Sequence, residues 1–114
     1  RLGGVLENLS SDLSGGQKKL LEIGRALMGR PRLILLDEPV AGVNPTLAGE
    51  IAERIAELCA GGLTFLIVEH DMDVVARLCD PVVVMANGAT LMEGSFEEIV
   101  EDTRVQDAYL GQRV

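Results

Sequence analysis

The chain has 114 residues, 47% of them apolar, and carries eighteen Asp and Glu against ten Lys and Arg, a formal charge of −8. That length makes one compact globular unit and leaves no room for a second domain, while basic residues scattered among a larger number of acidic ones exclude nucleic acid as the main partner. No apolar run approaches the ~20 residues of a membrane-spanning helix, Cys59 and Cys79 lack C-x-x-C spacing, and no signal-peptide pattern opens the chain, so a reducing, cytosolic setting is expected.

Residues 1–13 lack a clear period, and Gly3-Gly4 with Ser10-Ser11-Asp12 read as an irregular lead-in. Ser14 is a candidate helix cap, and Gln17 three residues on completes the S-x-x-Q pattern of a capping box. Leu20, Leu21, Gly24, Leu27 and Met28 recur at helical spacing, and Gly29 followed by Pro31 ends the helix. The apolar run 33–37, closed by Pro39, predicts a strand buried on both faces of a parallel sheet. Asn44 then caps a crossover helix with Pro45 at its first position; Leu47, Ile51, Ile55 and Leu58 line one face, and Gly61-Gly62 stops it. Residues 63–68 form a second buried strand ending at Glu69-His70, after which Asp71 caps a helix turning Met72, Val75, Leu78 and Cys79 inward. Pro81 breaks the chain before a strand at 82–85, and Asn87-Gly88 predicts a type I′ hairpin that pairs it antiparallel with 89–92. Ser95 and Glu98 make a second capping box for a short helix through Val100, and 105–110 add a last helical turn before Gly111.

Three groups of residues carry possible chemistry. Ser14, Gly15 and Gly16 open a helix whose unpaired N–H groups and positive dipole end suit an anion, and glycines let a phosphate approach closely; ordinary capping accounts for the same residues, and for Gln17. Asp37 and Glu38 emerge at the carboxyl end of an apolar strand, where open α/β sheets place their ligands. A D-E pair commonly sits on a solvated surface, but the four apolar residues ahead of this one bring it straight from the core. His70, the single histidine, follows the next strand at the same end; a lone histidine is otherwise more often structural than catalytic. The phosphate-holding pattern G-x-x-x-x-G-K-[ST] occurs nowhere in the chain.

Leu13-Ser14-Gly15-Gly16-Gln17, then Leu33-Ile34-Leu35-Leu36-Asp37-Glu38-Pro39, then His70 resemble in order and spacing the signature motif, Walker B strand and switch histidine of ATP-binding-cassette (ABC) ATPases, and the resemblance covers residues 13–111. It implies an α/β fold, a partial P-loop NTPase-type, mainly parallel sheet with flanking helices and a C-terminal β-hairpin, lacking the Walker A strand. On that reading 1–114 is the C-terminal portion of one nucleotide-binding domain, with a signature helix at 13–29, a Walker B-to-hairpin core at 33–94 and C-terminal helices at 95–114.

The same resemblance implies ATP and Mg²⁺ as ligands, with Asp37 holding the metal directly or through water. Glu38 is implied as the carboxylate that orients and polarises the attacking water, and His70 as its partner at the γ-phosphate. Ser14, Gly15, Gly16 and Gln17 would contact the γ-phosphate held by an opposing subunit. The loop Ala41, Gly42, Val43 and Asn44 would lie at the subunit interface, although Asn44 stands where many relatives have aspartate; its side-chain oxygen also suffices as a helix cap.

Asp37-Glu38-Pro39-Val40-Ala41-Gly42-Val43-Asn44-Pro45, Val68-Glu69-His70-Asp71-Met72 and Ala108-Tyr109-Leu110-Gly111 look like the ATP-binding subunits of branched-chain amino acid importers, with urea and amide importers close behind. None of these residues touches a solute by any physical argument, so the substrate is family analogy. The implied partners are a second ABC ATPase subunit, transmembrane permease subunits and, indirectly, a solute-binding protein, with the chain peripheral on the inner face of the cell membrane. Lacking a phosphate loop, the chain alone is expected to be inactive. Two rival readings are a fragment of a non-transport ABC ATPase, such as a translation or chromosome-maintenance factor, and a non-enzymatic module supplying a signature surface in trans. In related cassettes absent strands lie between the His70 strand and 82–85, and beyond 33–37, which predicts either self-association or a hairpin packed directly on 65–68.

Overall fold

The computed structural model of the chain describes residues 15–110 and divides between His70 and Asp71 into two compact units. The lead-in at 1–13, the Ser14 cap and the Gly111 stop lie outside the described residues.

In the first unit α1 (Gly15–Met28) turns Gly16, Leu20 and Ile23 inward, an i, i+4, i+7 stripe. The expected face through Leu21, Gly24 and Met28 is rotated from this one: Met28 is 83% exposed, and Ile23 takes the buried place. β1 (Leu33–Asp37) follows, then α2 (Pro45–Ala60) and β2 (Thr64–Val68). Asn44 Oδ1 accepts the Leu47 N–H at 2.9 Å, with Pro45 opening the helix as its fixed φ favours. Leu47, Ile51, Ala52 and Ile55 are buried along one face, Leu58 only partly. Ile51 and Ile55 are the most completely enclosed side chains described, each contributing roughly 1.5–3 kcal/mol of transfer energy.

β1 and β2 pair in parallel with Leu33 beside Thr64 and Asp37 beside Val68. Ile34 is buried on one face, with Leu36, Phe65 and Ile67 partly covered beside it. Leu33, Leu35, Leu66 and Val68 alternate onto the other face and are each more than half exposed, so the expectation of strands buried on both faces is corrected. A strand is covered only where a second layer lies over it, and here one face of the pair has that layer.

In the second unit α3 (Met72–Leu78) is capped by Asp71, whose Oδ1 accepts from the Asp73 N–H at 3.0 Å and the Val74 N–H at 3.3 Å. Val74 and Val75 are buried, whereas Met72, Leu78 and Cys79 are half-buried. β3 (Val82–Ala86) and β4 (Ala89–Gly94) form the antiparallel hairpin, and Asn87 and Gly88 carry φ of +52° and +78°, as a type I′ turn requires. The register shifts between Val84 and Met85, a local bulge. α4 (Phe96–Glu101) begins with a reciprocal capping box: Ser95 Oγ accepts the Glu98 N–H at 3.2 Å, and Glu98 Oε1 accepts the Ser95 N–H at 2.8 Å. α5 (Thr103–Val105) continues into a π-helical turn at Gln106–Leu110. Val84, Ile99 and Val105 make the core of this unit, with Val82, Leu91 and Met92 packed against it.

Each unit holds its own two-stranded sheet, one parallel and one antiparallel. The fold is therefore mixed α/β, with a parallel pair in the first unit and the expected C-terminal hairpin in the second. The Asn-Gly turn joins the two hairpin strands locally at little entropic cost. No described helix is long and apolar enough to cross a membrane.

Candidate functional site

The parallel register brings the carboxyl ends of β1 and β2 level. One residue beyond β1 the Glu38 N–H donates to the Val68 carbonyl at 2.7 Å, which extends the ladder by one bond. Glu38 nevertheless adopts φ +47°, a left-handed conformation that costs a non-glycine residue roughly 1–2 kcal/mol. The strand's alternation therefore ends at this residue. Its base is fixed by buried Pro39 and Val40, and two turns follow: the Ala41 N–H donates to the Glu38 carbonyl and the Val43 N–H to the Val40 carbonyl, each at 3.1 Å.

The Glu38 carboxylate meets the histidine from the end of β2, with Oε1 2.6 Å from His70 Nε2, the length of a short N–H···O bond. The side chains are 44% and 74% exposed, so the pair is open to solvent. Glu69 Oε1 accepts the His70 backbone N–H at 3.0 Å. One ligand atom from each of Glu38, Glu69 and His70 lies within 4.8 Å of the others. A carboxylate steadied by an imidazole at the open end of a sheet can accept a proton from water.

Asp37 sits at the same strand end but alternates onto the open face with Leu35 and Val68, and its side chain is exposed. A cleft of about 300 Å³ lined by Lys19, Glu22 and Ala26 of α1 and by residues 34–37 of β1 reaches Asp37 but takes in neither Glu38 nor His70. The sequence-predicted trio is thus brought together only in part.

At the start of α1, Gly15 is exposed, with nothing within 4 Å of where a Cβ would stand. Gly16 is buried, and a Cβ there would fall 2.0 Å from Leu47 Cδ2 and 3.1 Å from Val43 Cγ1. Its missing side chain makes room for the first turn of α2. Gln17 is half-buried, Ala41 and Gly42 are exposed, Val43 is half-buried, and the Asn44 side chain serves as the α2 cap. Glu69 was not among the residues expected from sequence; its signal is adjacency to His70 at a strand end.

The ABC transporter family model matches residues 3–41. The probable branched-chain amino acid transport ATP-binding protein LivG of Archaeoglobus fulgidus is 45% identical over 97% of this chain and 43% of its own length. The protein of the same name from Methanocaldococcus jannaschii is 45% identical over 98% of this chain and 45% of its own. The lipopolysaccharide export system ATP-binding protein LptB of Acidithiobacillus ferridurans is 42% identical over 89% of this chain and 42% of its own. Among solved structures, a nucleotide-free ATP-binding cassette from an ABC transporter superposes with a TM-score of 0.88 at 43% identity, covering 95% of this chain and 44% of that one. The ADP conformation of MJ1267, an ATP-binding cassette of an ABC transporter, gives 0.86 at 44% identity, covering 96% and 45%. The chain spans under half the length of the curated relatives it matches.

Proposed function

The chain is a homologue of ABC transporter ATP-binding proteins, and from that premise we propose that it is the C-terminal portion of such a subunit and that the parent energises transport by hydrolysing ATP in a nucleotide-sandwich dimer. The observation that carries this reading is the contact of Glu38 with His70 at the level ends of two parallel strands. Glu38 accepts the proton of the attacking water, and His70 holds the carboxylate and reaches the γ-phosphate. Gly15, Gly16 and Gln17, with Ser14, offer the start of α1 to the γ-phosphate bound by a second subunit. The loop 41–44 lies at that subunit boundary.

Asp37 suits Mg²⁺, since its carboxylate is exposed at the strand end and hard cations take oxygen ligands. Bound with ATP, the ion would offset charge on the phosphates. Permease subunits would hold the parent on the inner face of the membrane. Branched-chain amino acid import is the favoured transport, from relatives at 45% identity, although an export-system protein follows at 42%.

In the full-length subunit Glu38→Gln is expected to leave ATP binding intact and to slow hydrolysis by at least about 10²-fold, because an amide cannot take the proton. Unchanged turnover removes Glu38 from that role. The 114 residues contain no G-x-x-x-x-G-K-[ST] to hold the nucleotide phosphates. For the isolated chain no Mg-dependent turnover above about 1 s⁻¹ is expected, and faster turnover refutes that inactivity.

A further inference from the structure

We propose that Glu38, Glu69 and His70 form a three-point site for Zn²⁺, separate from any Mg²⁺ on Asp37. The donor set is one imidazole nitrogen and two carboxylate oxygens within 4.8 Å of one another. Three protein ligands with an open fourth position is the pattern of non-structural zinc sites. The imidazole sets the selectivity, because Mg²⁺ and Ca²⁺ take oxygen ligands and zinc accepts nitrogen readily.

The backbone holds two of the three side chains ready. Glu38 is fixed at its strand end by the Val68 carbonyl, and Glu69 is tethered through the His70 N–H. Zinc bonds of ~2.0–2.2 Å to N and O put tetrahedral ligand atoms roughly 3.3–3.5 Å apart. The Glu38–His70 contact at 2.6 Å must therefore open slightly, which small rotations of these two side chains, 44% and 74% exposed, allow, while Glu69 closes from within the 4.8 Å that already spans the three. Zinc takes a neutral imidazole nitrogen and ionised carboxylates, so any proton held by these groups leaves to solvent as the cation binds. Such a site stands whether or not the parent hydrolyses ATP, since it needs only these three side chains.

The test is zinc titration of the 114-residue chain, prepared without a histidine tag and with Cys59→Ser and Cys79→Ser to remove the thiolates. Calorimetry is expected to show one equivalent bound, with affinity falling at least about ten-fold in Glu69→Gln and further in His70→Ala. His70 is the single histidine, so its ¹H–¹⁵N ring signals report the site in the unsubstituted side-chain set, independently of how any variant folds. They are expected to shift and saturate at one equivalent and to be unmoved by a millimolar excess of Mg²⁺. A Kd weaker than about 1 mM, binding that leaves the ring signals in place, or equal displacement by Mg²⁺ overturns the proposal.

Discussion

Gly16→Ala measures how closely α1 and α2 meet. The added Cβ would begin 2.0 Å from Leu47 Cδ2 and 2.5 Å from Leu47 Cγ, so the leucine must retreat to at least the 3.4 Å of ordinary contact. Leu47 has little room, since it is 8% exposed and its own N–H is held by Asn44 Oδ1. Overpacking of this kind costs about 1–3 kcal/mol, while replacing glycine by alanine in a helix returns at most about 1 kcal/mol and less at its first turn. The net expectation is a loss of about 1–2 kcal/mol. Urea unfolding followed by circular dichroism should show a lower midpoint with unchanged slope. Gly15→Ala, whose Cβ meets nothing within 4 Å, should stay within about 0.5 kcal/mol of the parent chain. Adding Leu47→Ala to Gly16→Ala should cost less than the two singles combined, because the clash is then already gone. A Gly16→Ala chain as stable as Gly15→Ala would refute the packing role and leave the glycine to explain by ligand approach alone.

Asn44→Ala should destabilise the first unit by about 1 kcal/mol through the lost cap on α2, read as a lower urea midpoint; in the full-length subunit, a loss of ATPase far beyond that loss of stability would show a second role at the subunit boundary. The second unit should weaken in acid. Ser95's backbone N–H and hydroxyl hold the Glu98 carboxyl below its ordinary 4.5, and Arg104's guanidinium holds Asp102 below its ordinary 3.8. Both contributions are present above those ordinary values and are lost as pH falls through the depressed folded ones, so the stability gap between the parent chain and Glu98→Gln should close below pH 4.5 and stay constant above neutral. A gap that widens in acid would contradict the capping-box account.

Features set by near neighbours in sequence were legible. Asn44, Asp71 and Ser95 each satisfy helix N–H groups within three residues, and Asn87-Gly88 takes the positive φ angles that only a few residue types accept readily. What failed depended on distant partners. An apolar run reads the same whether one or both of its faces are covered, so exposure of Leu35 at 66% could not be read from its neighbours. The choice of Ile23 over Met28 for the core depends on how α1 is rotated, and one residue of helix is 100° of face. At the candidate site, strand ends and order placed Glu38 beside His70, because parallel strands in register finish together. The left-handed backbone at Glu38 left no trace, since glutamate gives no local hint of it, and Glu69 was hidden beside a more conspicuous neighbour.

The backbone at Glu38 sets stability and chemistry against each other at one position. Glycine there would relieve the left-handed strain, with an entropic penalty from the unfolded chain of only about 0.4–1 kcal/mol, and would delete the carboxylate in the same step. Under selection for stability alone, position 38 would drift toward glycine or asparagine, the residues that enter this region most easily. Arg30 carries φ +51° as well, so the strained backbone assigns no role to the Glu38 side chain by itself; the contact with His70 is what sets position 38 apart. Screens that rank variants by thermal resistance would therefore favour changes at position 38 that remove its carboxylate, and only an ATPase readout in the full-length subunit would test what that carboxylate does.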